Sequence, residues 1–199
     1  MTASYGKKQK SPPSLLTQKK LERQALHYLE RFSASEESLR RVLKRKIALN
    51  QRHHPALDTD LATGWAENLL VRFRQAGLIN DVAYTEGRIS TLRRRGDSAR
   101  MIRERLRSKG IAGSLIDEAL TDHAADMGGA AAAELAAAIA FARRRRLGPF
   151  RDHHQRPDID QRDLAVLARA GFSAALARTI MQATDPAALD ELLDQARQV

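Results

Sequence analysis

Apolar residues recur every three to four positions along almost the whole chain, and no stretch alternates with the two-residue period of a half-buried strand. The spacing predicts ten helices, near 18–32, 36–48, 59–76, 81–94, 98–109, 113–126, 130–146, 159–170, 173–183 and 186–197. Three of these runs end in a glycine followed by an apolar residue: Gly77-Leu78, Gly110-Ile111 and Gly171-Phe172. That order marks a left-handed cap whose next side chain folds back onto the last turn. It predicts contacts of Leu78 with Phe73, Ile111 with Leu106 and Phe172 with Leu167. Ser35, Ser98, Ser114 and Ser173 stand where a hydroxyl can cap the following helix, and Asp185-Pro186 pairs a capping carboxylate with a first-turn proline. The alanine-rich run after Gly128-Gly129 reads as a helix start, because alanine is the best helix former.

A repeat lies under these caps. Ser35, Leu39, Leu43 and Lys46 have the spacing of Ser98, Ile102, Leu106 and Lys109, and a weaker copy runs Ser173, Ala177, Met181. Each serine follows a helix, so the unit is helix–turn–helix with a third helix after it. Such small units bury little surface alone and are stabilised by stacking. The expected fold is all-α, an elongated, curved array of tandem three-helix modules. Its parts are a disordered basic arm (1–17), modules at 18–76, 77–127 and 128–183, and a C-terminal helix (184–199). Two links, 48–58 and 148–159, are long, contain proline and carry the paired histidines His53-His54 and His153-His154.

Charge sharpens this picture. The 199 residues carry a formal charge of +10, with a pI near 10.5, which points to a polyanionic partner. No cysteine is present, so disulfides and thiolate chemistry are excluded. No apolar run approaches the ~18 residues that span a bilayer. The first twenty residues lack the apolar core of a secretory signal, so a cytoplasmic protein with no membrane partner is expected. In that compartment Arg95-Gly96-Asp97 is no adhesion tripeptide.

Enzyme signatures are missing: there is no Walker-type loop, dinucleotide fingerprint or nucleophile elbow. Adjacent histidines diverge, and neither pair has a further histidine at i+3 or i+4, so neither pair reads as a metal site. Glu36-Glu37 and Asp158, Asp160 and Asp163 read as complements to helix dipoles. A non-enzymatic binding protein without cofactor or metal is expected. Aromatic residues make up only 5% of the chain, with Phe73, Phe141 and Phe172 needed in the core and Trp65 anchoring its helix, so a base-stacking platform is not expected.

The cationic segments are the remaining signal. Residues 93–111 pack eight Lys and Arg side chains into nineteen positions. On a helical wheel Ile102 and Leu106 share one face, while Arg100, Arg103 and Arg107 form a stripe opposite, tempered by Glu104 four residues after Arg100. Arg93, Arg94, Arg95 and Lys109 extend this block. Arg40, Arg41 and Lys44 repeat it in the first copy, and Arg143, Arg144, Arg145 and Arg146 form a third block. Two readings follow from the residues: electrostatic docking to phosphate or to an acidic protein surface, or a sequence-specific helix–turn–helix DNA binder. The second is weakened by a helix start of Ser98-Ala99-Arg100, a poor vocabulary for reading bases.

The segment "GLINDVAYTEGRISTLRRRGDSARMIRERLRSKGI" (77–111) resembles the central signature of the RecX family, regulators of the RecA recombinase. Gly77, Leu78, Asp81, Tyr84, Gly96, Ile102, Leu106, Lys109, Gly110 and Ile111 fall in register. Residues 25–43 and 167–181 resemble the family's first and last modules, and 144–150 its basic link, with Arg146-Leu147 departing from the usual pattern. The resemblance covers roughly 20–183. It implies an all-helical rod of three-helix modules that lies, as a monomer, along the groove of the RecA–single-stranded DNA filament. There it would dampen ATPase, strand-exchange and coprotease activities, within recombination, DNA repair and the SOS response. The basic residues named above would be the contacts to RecA or DNA.

Overall fold

The computed structural model describes residues 14–151 and 157–198, apart from the side chains of 157–160. Among these residues there are ten α-helices and no strand, so the chain is all-α. The helices are α1 (Gln18–Arg31), α2 (Glu36–His53), α3 (Thr59–Gln75), α4 (Asp81–Arg94), α5 (Ala99–Arg107), α6 (Gly113–Ala125), α7 (Ala130–Arg145), α8 (Pro157–Arg169), α9 (Ala174–Gln182) and α10 (Pro186–Ala196). A single 3-10 turn, Gly148–Phe150, follows α7.

The chain divides into two compact units, residues 1–80 and 81–199. In the first, α2 and α3 pack on each other and α1 on both. Their shared core contains Leu21, Leu39, Leu43, Leu69, Leu70 and Phe73, with Trp65 partly buried against it. The second unit holds two cores. Ile89, Leu92, Ile102, Leu106, Ile116 and Leu120 join α4, α5 and α6. Ala138, Phe141, Leu147, Leu167, Phe172, Ile180 and Leu189 join α7 to α10. The serine-led repeat is visible here: Leu39, Leu43, Ile102 and Leu106 are all buried. In the loose third copy Ala177 and Ile180 take the inward positions, and Met181 is only half-buried.

The glycine caps close as expected in the backbone. The amides of Leu78, Ile111 and Phe172 donate to the carbonyls of Phe73 (2.9 Å), Leu106 (3.2 Å) and Leu167 (3.2 Å). Ile111 and Phe172 are buried, but Leu78 is exposed, and the side chain that joins Phe73 in the core is Ile79, one residue later. The same motif ends α4 at Gly96 and α7 at Arg146, which adopts left-handed geometry (φ 53°) without being glycine. Ser35, Ser98, Ser173 and Asp185 cap α2, α5, α9 and α10 through their side chains. Ser114 does not: α6 begins at Gly113, so this serine lies inside the helix and Ala112 precedes it uncapped.

Two boundaries move by more than two residues from expectation. α2 runs on to His53 rather than ending at 48, and stops where Pro55 keeps the preceding residue, His54, out of helical geometry (φ −134°, ψ 79°). The run-on has a use, because Asn50 on the added turn is buried and accepts a hydrogen bond from the Leu16 amide (2.9 Å). It also donates to the Ser14 carbonyl (3.1 Å). Ser14–Thr17, assigned from sequence to the arm, is therefore docked, with Leu16 in the first core. Residues 1–13 of the arm, and His153 and His154, lie outside the described residues.

Candidate docking surface

In the second unit the cationic block is divided between interior and surface. Arg93, on the last turn of α4, is buried and donates to Glu134 of α7 (2.6 Å) and to the Asp97 carbonyl (3.5 Å). Glu134 also accepts from the Ala99 amide at the start of α5 (3.2 Å). One carboxylate thus ties α4, α5 and α7 together. Breaking such a buried pair leaves an uncompensated charge, so Arg93 acts in holding the fold. Arg94 and Arg95, next in the chain, are exposed.

On α5, Arg100 sits 3.4 Å from Glu104, the expected i+4 pair, and both are well exposed. Arg103 is held instead by Asp117 of α6, at 2.7 Å. Arg107 and Lys109 are exposed at the end of the helix. Arg105, not singled out from sequence, is paired with the buried Asp97 (3.0 Å). At the end of α7, Arg143, Arg144, Arg145 and Arg146 are all exposed. Arg143 reaches Asp190 (3.3 Å) and lies over Phe150, while Arg144 and Arg145 lie 5.7 and 5.9 Å from the centre of the Phe141 ring. These cation–π contacts hold the guanidiniums against the surface.

The helix start of α5 is built into the fold. The Ser98 hydroxyl donates to the Ala170 carbonyl (2.6 Å), the Ala99 amide is taken by Glu134, and both Ser98 and Asp97 are buried. A reading helix offers its first residues to base edges; here those residues are occupied within the protein.

In the first unit Arg40 is the hub of an ion-pair network. Its guanidinium donates to Glu36 (2.7 Å), Glu37 (3.0 Å) and Glu67 (3.0 Å), joining α2 to α3. Burial works against its charge, but the three carboxylates raise its pKa above the ordinary value. Arg40 and Arg41 in turn hold the Glu37 carboxyl below its usual range. Arg41 pairs with Glu37 (2.8 Å), while Lys44 and Arg45 are exposed. Elsewhere, Asp163 proves to be more than a dipole complement: it is buried, and accepts from Arg151 (2.8 Å) and the Gly148 amide (3.2 Å).

The sequence signal for the structural arginines was present but ambiguous. Arg93 and Arg40 look in the chain like their exposed neighbours, and their partners Glu134 and Glu67 lie 41 and 27 residues away.

Comparison with known proteins places this geometry. Residues 80–120 match the family model "RecX, second three-helix domain", a match that covers α4, α5 and α6 as far as residue 120. The Regulatory protein RecX of Myxococcus xanthus (strain DK1622) is 36% identical over 178 residues, covering 88% of this chain and 92% of that protein. The Regulatory protein RecX of Agrobacterium fabrum (strain C58 / ATCC 33970) is 30% identical over 116 residues, 58% of each chain. A crystal structure of regulatory protein RecX superposes with a TM-score of 0.58 at 25% identity, covering 83% of this chain and 72% of that one. With the modular helices, the capped α5 and the match along nearly the full length of a relative, the chain belongs to the RecX family of regulatory proteins.

Proposed function

We propose that this protein is a negative modulator of the RecA recombinase, acting as a cytoplasmic monomer that binds the groove of the RecA–single-stranded DNA filament. It damps the filament's ATPase, strand-exchange and coprotease functions without chemistry of its own. The observation that supports this most is the exposed arginine surface of α5 and α7, presented on a unit whose apolar side chains form two packed cores. Arg94, Arg95, Arg100, Arg103, Arg107, Lys109 and Arg143 to Arg146 form the main docking face in this reading. Arg41 and Lys44 add a second patch, and Arg93 and Arg40 hold the scaffold. Several modest contacts along a repetitive polyanion strengthen one another through effective concentration. A sequence-specific DNA binder is disfavoured because Ser98 and Ala99 are engaged internally.

The test is a titration of RecA's DNA-dependent ATPase with the purified protein. Combined charge reversal, Arg100→Glu, Arg103→Glu and Arg107→Glu, is expected to abolish inhibition while leaving the circular dichroism spectrum intact. Unchanged inhibition removes this surface from the proposal. Contacts to about five phosphates of a single strand would give a slope of binding against salt of about −3.5 on logarithmic axes.

A further inference from the structure

A hollow of about 370 Å³ lies in the second unit, where the turn between α4 and α5, the end of α7 and the end of α8 converge. Its walls carry four arginines: Arg105 from α5, Arg144 and Arg145 from α7, and Arg169 from the last turn of α8. Asp97 is the carboxylate in the wall, and it is engaged by Arg105. Among the described residues, no carboxylate lies within ion-pair distance of Arg144, Arg145 or Arg169.

The charge is local. Residues 81–199 contain 19 Lys and Arg against 17 Asp and Glu, nearly neutral, so the convergence is not an overflow of general basicity. Each arginine complements the C-terminus of its own helix, a modest effect. That accounts for one cation per helix end, not for guanidiniums from three helices around one hollow. Two glycines make close approaches beside the hollow, one to backbone and one to a side chain. Gly96 (φ +81°) packs on the backbone of α7, where a Cβ would stand 2.7 Å from the Phe141 Cα and 2.8 Å from the Ala137 carbonyl. Gly171 (φ +91°) packs on the start of α5, where a Cβ would stand 2.5 Å from the Ser98 Oγ.

We propose that this hollow is a phosphate site, and that it takes a backbone phosphate of a single nucleic-acid strand. This rests on the proposed function and assigns the part of the docking face that meets DNA rather than protein. Guanidinium forks match phosphate oxygens in pairs. Arg94 and Arg95 precede Gly96, and Arg146 follows Arg145, so exposed cations continue beyond the hollow along the chain. An isolated anion needs one such site; a polyanion makes use of the continuation.

The experiment is fluorescence anisotropy of a labelled oligo-dT with the full chain, without RecA, over a salt series. The variant Arg144→Ala, Arg145→Ala, Arg169→Ala should bind on the order of tenfold more weakly at low salt. Its logarithmic salt slope should flatten by about 0.7 for each phosphate released. Replacing three exposed arginines of the first unit, Arg23→Ala, Arg31→Ala, Arg52→Ala, removes the same charge and should cost much less. Equal losses in the two variants, or no binding by the unaltered protein, overturn the site. So does unchanged affinity in the cleft variant; if that variant has also lost its effect on RecA, the arginines face acidic protein. Lysine at all three positions should restore part of the lost affinity, and no restoration overturns an electrostatic phosphate site. Should oligonucleotide binding follow this pattern while RecA's ATPase is untouched by the unaltered protein, the phosphate site stands and the filament function falls.

Discussion

Two glycines nine residues apart, Gly87 within α4 and Gly96 in the turn after it, behave oppositely because of their backbone geometry and of what surrounds them. Gly96 is left-handed and pressed against the backbone of α7, whereas Gly87, in α4, has nothing within 4 Å of the position a Cβ would take. Alanine at 96 meets a backbone penalty of roughly 1–2 kcal/mol, and must also push α7 away; a total loss of about 2 kcal/mol or more is expected. Alanine at 87 should stabilise by about 0.5–1 kcal/mol, because the unfolded chain loses freedom and nothing is displaced. Chemical denaturation of the two variants checks both signs. The sequence marked Gly96 as a turn before a helix. It could not show that the turn touches residues more than forty positions on, so the tight joint beside the arginine hollow was illegible. The same limit hid the roles of Arg93, Arg40 and Asn50, whose partners are distant in the chain.

At the level of the helix, local signals read well because they are local. Period, cap and glycine stop all act within one or two turns, so α4 lies at 81–94 as expected and Ser35, Ser98 and Ser173 cap as expected. Where local signals compete, a tertiary contact decides the end of α2, which runs past its polar stretch because Asn50 bonds the Leu16 segment, whereas Ser114 makes no cap because α6 begins at Gly113, where its period put it. Titration also belongs at this scale. On α6, burial and then the nearby Arg93 charge lower the pKa of His123 below its ordinary 6.5. The folded state therefore holds this imidazole neutral where the unfolded chain would protonate it. Stability is fully present above about pH 6.5 and declines as pH falls through the depressed folded value. Thermal melts between pH 7.5 and 5 should show this decline, and His123→Gln should flatten it; an unchanged slope would assign the effect to other groups. Glu37, held down by Arg40 and Arg41, acts in a separate and more acidic window, below its ordinary 4.5.

On the scale of the whole molecule, three hydrophobic cores are distributed over two units, and this distribution has consequences for cooperativity. The two cores of the second unit are joined by polar and backbone contacts of high specificity. Arg93 reaches Glu134, Glu134 takes the Ala99 amide, Ser98 donates to Ala170, and Gly96 lies against α7. A phosphate site assembled from α5, α7 and α8 requires that the second unit open and close as one body, since separate fluctuation would splay its arginines apart. Ile102→Ala removes buried apolar volume from α5 at a cost of about 2–5 kcal/mol. Hydrogen–deuterium exchange should then show faster exchange through α4–α6 and also through α7 and α9. A comparable change at Leu43 should be read out in α1–α3, the helices that share its core. If Ile102→Ala speeds exchange in α4–α6 alone, the two cores open separately and Glu134 is not a coupling residue. Glu134→Gln then supplies the complementary measurement: with coupling through Arg93, it should bring the separate opening about without touching either apolar core.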